Sequence, residues 1–342
     1  HLVARGSAGF SAAEDPHDDP DDQPEERNLR QDPGDGGEPL HQVTVTRSRL
    51  ERYGPRTLPH DPSGPAVTGG SLPFVGPSLH DDQAVLRAAM RNAACMVDAA
   101  HAAGLGGHRE DDIGWVVAPN VPDPAVNAVR PLRQHAGLVD RIPAILATYP
   151  DHVPVAWWLT SDDGHEDGRI DLGRAGFELN CAMPAIGGPF PASTPRPSPD
   201  LIVAPPASDE DWEAVAAVQR DGFALAAKTS DTIVGSVRAL SESRAGPPIL
   251  EAVLARRADL PVSVGFVSHL AGVAGLWSLT TLPEARGSGV GGAMVDHRLA
   301  RARSRGAEVA FMFSGGNAES LYTARGFRRI GTCELHVLAP RG

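Results

Sequence analysis

Aromatic residues are scarce in this 342-residue chain: Phe, Trp and Tyr together make up 5%. A core must then be filled mostly by Ala, Val and Leu, within a hydrophobic content of 41%. Cysteine is scarcer still. Cys95, Cys181 and Cys333 stand far apart and form no metal-binding spacing, so no metal is expected and a reducing, cytoplasmic setting is. No run approaches the ~18 apolar residues that a membrane helix needs. No basic-then-apolar segment reads as a signal peptide. Positive charge is in deficit as well: the net charge is −12 and the pI is near 5.5. A nucleic-acid partner would call for a basic footprint, so none is expected.

What is present is length for two ordinary domains. Residues 1–78 are rich in Asp, Glu, Pro and Gly and lack apolar periodicity, so the expectation is a disordered acidic tail, with at most a short strand at 43–46. Residues 2–7 (LVARGS) resemble the remnant of an engineered protease site, and a reading frame cut or extended at its start fits equally well. Residues 79–186 read as a first folded region. Helical spacing of Val85, Leu86, Ala89, Met90 and Ala93 predicts an amphipathic helix over 82–103. Strands are expected at 113–117, 125–129, 153–160 and 177–186, with a helix at 139–149 and a short one at 171–176. Trp157 and Trp158, adjacent in a strand, should face opposite sides. Residues 187–199 (GGPFPASTPRPSP) read as a semi-rigid linker. In the second region, 200–342, Ser208 is placed to cap a helix from 209, with Asp211 completing a loose capping box. A second helix at 229–245 and strands at 250–255 and 263–268 lead to a central strand at 271–281.

The most informative stretch is 276–327. Its strand ends at Pro283, which cannot donate to a ladder. Arg286, Gly287, Ser288, Gly289, Val290, Gly291 and Gly292 follow, then a helix over 292–305, a strand at 309–313, a loop at 314–317 and a short helix at 318–325 before Gly326-Phe327. Glycines between strand and helix let backbone N–H groups converge, and the helix N-terminus adds its dipole. A phosphate or pyrophosphate suits such a cradle, with Arg286 as a charged contact. Gly287, Gly289 and Gly292 also spell G-x-G-x-x-G. A dinucleotide fold, however, wants further βα units and an acid after the second strand, whereas Glu308 precedes it.

Arg286, Gly289 and Gly291 in R/Q-x-x-G-x-G/A, followed by Leu321, Tyr322, Gly326 and Phe327 in L-Y-x-x-x-G-F, resemble the GCN5-related N-acetyltransferase (GNAT) superfamily. The resemblance implies an α/β (α+β) fold with a mixed central sheet flanked by helices. It implies acetyl-CoA as acyl donor, held by residues 286–292 and the loop residue Asn317. A free N–H in the strand before the loop, at Leu279, Thr280 or Thr281, is implied to receive the thioester carbonyl. Tyr322 stands where the family's general acid stands, the alternative being a tyrosine that merely packs its helix. The family has no fixed base; Glu210, Asp211, His269 and Glu319 are candidates, each also readable as a solvated or capping group. His297 and the arginines 298, 301, 303 and 305 read as a solvated outer stripe. Trp277 reads as either pocket wall or core.

An internal echo supports two related halves: Gly173-Arg-Ala-Gly-Phe177 before one strand matches Thr323-Ala-Arg-Gly-Phe327 before another. In the first copy acids surround Gly164 and Gly168 and would repel a pyrophosphate. The expectation is a degenerate GNAT-like half at 79–186, packing against a complete catalytic half at 200–342 and shaping one side of an acceptor cleft. The expected activity is transfer of an acetyl group to a primary amine of unknown identity, by direct attack; the acidic charge favours a cationic small molecule. The alternatives are an acyl-CoA-binding sensor without turnover and a protein N-acetyltransferase. The sequence leaves the oligomeric state open.

Overall fold

The computed structural model describes residues 81–133, 139–161, 165–190, 200–243, 248–270, 272–315 and 318–341. The acidic tail expected at 1–78, the strand at 43–46 and Asn317 lie outside the described residues.

Asp81 opens the first helix as an N-cap, its carboxylate accepting from the N–H groups of Gln83 (3.0 Å) and Ala84 (3.1 Å). The helix expected over 82–103 is present in two pieces, α1 (Asp82–Asn92) and α2 (Ala94–Ala102). They break where the Ala93 N–H is shared between the Ala89 and Met90 carbonyls. Strands β1 (Gly106–Arg109), β2 (Ile113–Val117) and β3 (Ala128–Pro131) follow, then a short helix α3 (Ile142–Leu146) and β4 (Val155–Thr160). The strand expected at 125–129 starts three residues later because Asp123 and Asn127 build a turn first. The Asp123 carboxylate accepts from Ala125 N, and the Asn127 amide bonds Val121 O, Asp123 O and Ala118 N.

Helix α4 (His165–Arg174) begins six residues before its expected start and takes in Glu166 and Asp167. Those acids fall in its first turn, where the helix dipole favours them. Strand β5 (Glu178–Pro189) comes next, and β6 (Leu201–Ala204) opens the second region. Helix α5 (Asp209–Phe223) is capped as expected: Ser208 Oγ accepts from Asp211 N at 3.2 Å. The reciprocal contact reaches one residue further back, with Asp211 Oδ2 accepting from Ala207 N at 2.8 Å. Helix α6 (Ala227–Glu242), β7 (Leu250–Arg257), β8 (Leu260–Leu270) and β9 (Val273–Thr281) precede helix α7 (Val290–Ser304). Strand β10 (Val309–Phe313), helix α8 (Ala318–Thr323) and β11 (Arg328–Leu338) complete the chain.

Among the described residues, eleven strands form one mixed sheet in the order β1-β2-β3-β4-β11-β5-β10-β9-β8-β7-β6. Its middle interleaves the two regions. β5, from the first region, lies between β10 and β11, with Gly187 opposite Phe311 and Met183 opposite Cys333. β11, from the second, lies between β5 and β4, with Cys333 opposite Thr160. The two strands that follow the echoed Gly-Phe pairs are therefore antiparallel neighbours, and each is clasped by a strand of the other region.

Alternation along the central strands sorts side chains to two faces. Val273 and Trp277 of β9 and Phe311 of β10 pack with α1, α2, α5 and α6. Ala274 and Leu276 of β9, with Ala310 and Met312 of β10, pack with α7 and α8. Each fully buried Val, Leu or Met contributes about 1.5–3 kcal/mol, so α7 is held by Val290, Met294, Val295 and Leu299 far more than by helix propensity. The Trp pair is split as expected. Trp157 is buried edge-on against Phe177, while Trp158 is half-buried against Phe313.

Candidate functional site

The geometry of the site starts with a fault in the β8–β9 ladder. Phe266 pairs with Trp277 and Val264 with Thr280, so Gly265 faces both Ser278 and Leu279. That two-against-one count is a β-bulge, and Ser278 carries it at φ +47°. A non-glycine residue in the left-handed region costs on the order of 1 kcal/mol and marks a constraint imposed by its surroundings. On its other edge β9 pairs with β10 only from Val273 to Gly275. Among the described residues, 276–281 thus present an edge with no strand partner on the β10 side. Leu279, Thr280 and Thr281, expected to offer a free N–H, lie in this stretch. Their side chains are already committed: Thr280 packs against Gly222 of α5, and Thr281 Oγ1 shares a hydrogen bond with Ser263 Oγ at 3.0 Å.

The glycine loop follows within a few residues. Pro283–Ala285 make one 3-10 turn, then Gly287 (φ +70°) and Gly289 (φ +83°) turn the chain into α7. A Cβ added at either glycine would meet nothing within 4 Å, so the loop is bordered by open space. The first intrahelical donor is Ala293, which bonds Gly289 O at 3.0 Å. The N–H groups of Val290, Gly291 and Gly292 precede it, and no side chain caps them. Two guanidiniums flank the loop. Arg286 is exposed and donates to Thr281 O at 3.0 Å; Arg257 donates to Ser288 Oγ at 2.9 Å. Uncapped N–H groups on a fifteen-residue helix, open space and two cations fit a pyrophosphate-bearing carrier.

Helix α8 is fastened beside α7 by Arg325. Its guanidinium bonds the Asp296 carboxylate at 2.5 and 3.1 Å, Gly292 O at 2.9 Å and Leu321 O at 2.7 Å. Tyr322 is thereby fixed with 3% of its surface exposed, in one cluster with Leu276, Val290, Met294 and Phe327, and with Leu279 against it. The structure brings together Tyr322, the β9 edge and the start of α7.

Other expectations need correction. The arginines of α7 are no solvated stripe. Arg298 has 0% exposure and lies between α7 and the sheet, donating through Nη1 to the carbonyls of Phe266 and Trp277, each at 3.2 Å. Arg301 and Arg305 reach the buried Glu251 carboxylate at 2.5 and 3.2 Å. Arg303 alone of the four is exposed, over the Phe190 ring. His297 is half-buried; loss of solvent, with Arg301 next, lowers its pKa. Two candidate bases have other tasks. Asp211 is held low by the Ala207 N–H and by Arg256, and His269 bonds Glu251 at 2.7 Å at the end of β8 remote from the glycine loop. Trp277 is core: its Nε1 donates to Ser268 Oγ at 2.7 Å and its ring meets Phe311 edge-on.

Comparisons with known proteins bear on the fold. Residues 190–327 match the profile of the acetyltransferase (GNAT) family. No curated protein matches the sequence. Among solved structures, the chain is similar to a GCN5-related N-acetyltransferase from Kribbella flavida, with 17% identity, a TM-score of 0.50, and coverage of 73% of this chain and 96% of that one. It is also similar to a GCN5-related N-acetyltransferase from Sphaerobacter thermophilus, with 15% identity, a TM-score of 0.45, and coverage of 78% and 95%. The first of these shows the fold: a mixed α/β sheet flanked by helices, as in GNAT structures. No described helix is long and apolar enough to cross a membrane.

Proposed function

We propose that the chain is a GNAT acyltransferase that binds acetyl-CoA at residues 286–292 and passes the acetyl group to a primary amine. The observation that carries this reading is the succession, within one strand and its turn, of a bulged edge at Ser278 and an uncapped, glycine-lined helix start at Val290. Acetyl-CoA supplies a thioester whose carbon is transferred to the amine nitrogen as the carbon–sulfur bond breaks. The protein's part is placement and charge. Backbone N–H groups of the loop and of α7 hold the diphosphate. The unpaired edge over residues 276–281 offers an N–H where the carbonyl oxygen gains charge. Tyr322 donates a proton to the departing sulfur. The amine sheds its own proton to a base that the site leaves to solvent or to Glu210 or Glu319.

The domain reading belongs to the same proposal. Residues 79–189, which take in the first three residues of the linker expected at 187–199, form a GNAT-like half without a carrier loop, and 200–342 form the active half. The reciprocal clasp of β5 and β11 and the echo before them support it. The acceptor is proposed to be a small amine entering between the halves. The burial of Tyr322 favours one rival, a carrier-binding sensor without turnover. Release of CoA thiol from acetyl-CoA, measured against aminoglycosides, polyamines and peptides with free N-termini, separates the two. Release with at least one amine supports the enzyme; saturable acetyl-CoA binding with no release for any amine supports the sensor.

A further inference from the structure

We propose that Arg298 is a positioning residue for acyl transfer, whose buried guanidinium holds the β9 bulge in shape and sets a fixed positive charge beside Tyr322. The inference rests on the acyltransferase reading above. At the bulge, the carbonyls of Phe266 and Trp277 sit where the ladder loses its register. Arg298 Nη1 takes both, and Nε reaches back to Met294 O at 3.4 Å. Nη2 is fully buried and has no hydrogen-bond partner among the described residues. Tyr322 packs in one cluster with Met294, Val295 and Ala302, the α7 residues around Arg298; burial lowers the Arg298 pKa, and Tyr322 acts in the opposite direction.

No carboxylate among the described residues forms an ion pair with Arg298, although Arg301, Arg305 and Arg325 on or beside the same helix each have one. A buried cation without a counter-charge costs several kcal/mol, so stability alone does not account for it. The fold also makes room for it. A Cβ on Gly265 would lie 2.9 Å from Nη1 and 3.1 Å from Cζ, so residue 265 is glycine where the guanidinium crosses the strand. The charge therefore sits under the β8–β9 bulge, on the strand whose other edge is proposed to receive the transferred carbonyl, and in the cluster that holds the group proposed to protonate the sulfur. It acts through both without touching the substrate.

Three variants test this, using the full chain and the best amine of the panel above. Arg298→Met removes the charge and keeps the bulk. Arg298→Lys keeps the charge and loses the fork. Gly265→Ala leaves Arg298 in place chemically and pushes its guanidinium aside. For Arg298→Met the expected result is a midpoint of thermal unfolding equal to or above that of the parent, since an apolar side chain replaces a buried charge. Acetyl-CoA affinity by calorimetry should stay within about twofold, while kcat falls roughly 100-fold, the scale of losing one preorganised group at a developing charge. Arg298→Lys should recover part of kcat, and Gly265→Ala should follow Arg298→Met. Turnover that survives Arg298→Met overturns the inference. So does a loss of turnover matched in all three variants by a loss of thermal stability, which would make Arg298 a structural residue only. A parent chain that takes up no acetyl-CoA instead removes the acyltransferase reading itself.

Discussion

Ser278, Arg298 and Tyr322 occupy three different kinds of unfavourable position. Ser278 is in the left-handed region, Arg298 is a buried charge with no carboxylate among the described residues, and Tyr322 is a phenol closed off from water. They lie on three successive parts of the site, β9, α7 and α8, and Arg298 bonds the carbonyl of Trp277, the residue before Ser278. For Tyr322→Phe the expectation is a fall in kcat of about 100-fold, at the lower end of what general acids contribute, with acetyl-CoA affinity unchanged. Steady-state kinetics together with calorimetry would show it; unchanged kcat removes Tyr322 from the role. Ser278→Gly should relieve the backbone at 278 and raise stability by about 0.4–1 kcal/mol or leave it level, which urea unfolding would read. Tyr322 and the loop glycines were legible in the sequence because each is fixed by residue type at a set spacing. Arg298 was not. Its place on the buried stripe follows from the step of four through Val290, Met294 and Ala302, but its charge argued for the surface, and nothing local says that a bulge on another strand will take a guanidinium. Gly265 was the available hint, a glycine in the interior of a strand.

Helix α7 is the element on which the site depends, and it is held at both ends. Its start is fixed by Arg325 and the glycine loop. Its last turns are tied to β7 and β8 by Glu251, which accepts from Arg301, Arg305 and His269. Burial by itself would raise the Glu251 carboxyl, but the bonds from His269 and Arg301 and the charges of Arg301 and Arg305 outweigh it and hold the pKa below the ordinary value. A carboxyl lowered in the folded state adds stability above its unfolded pKa, about 4.3 for Glu, and that stability is lost as pH falls through the folded value. Glu251→Gln should thus destabilise the protein at pH 7 by about 3–5 kcal/mol, the scale of breaking a buried pair, and the gap from the parent should close as unfolding is repeated towards pH 3. A gap independent of pH would mean that packing, not charge, matters at this position. Nothing in the sequence announced this anchor: Glu251 follows Leu250 at the start of a strand expected from its apolar residues, and its cationic partners Arg301 and Arg305 read as a solvated stripe.

At the scale of the whole molecule, the consequence is that the second region does not own a complete sheet. β5 supplies the strand between β10 and β11, and β11 is paired on its far side with β4. Residues 200–342 expressed alone should therefore expose both long edges and aggregate. Co-expression with residues 79–189 should restore a soluble complex, and size-exclusion chromatography would decide; a monomeric, folded 200–342 fragment would contradict the shared sheet. The sequence made the family of fold and the echo of Gly-Phe-strand readable, because both rest on local spacing. Interleaving was not readable, since a strand's own alternation does not name its neighbours across more than a hundred residues. The account as a whole turns on where the diphosphate carrier is held. Titration calorimetry of acetyl-CoA into the parent chain and into Gly289→Val tests this most directly, because valine at φ +83° disturbs the cradle and little else. The account predicts saturable one-site uptake by the parent and binding weakened by roughly tenfold or more in the variant, a loss of about 1.4 kcal/mol; no uptake by the parent, or equal uptake by both, contradicts it.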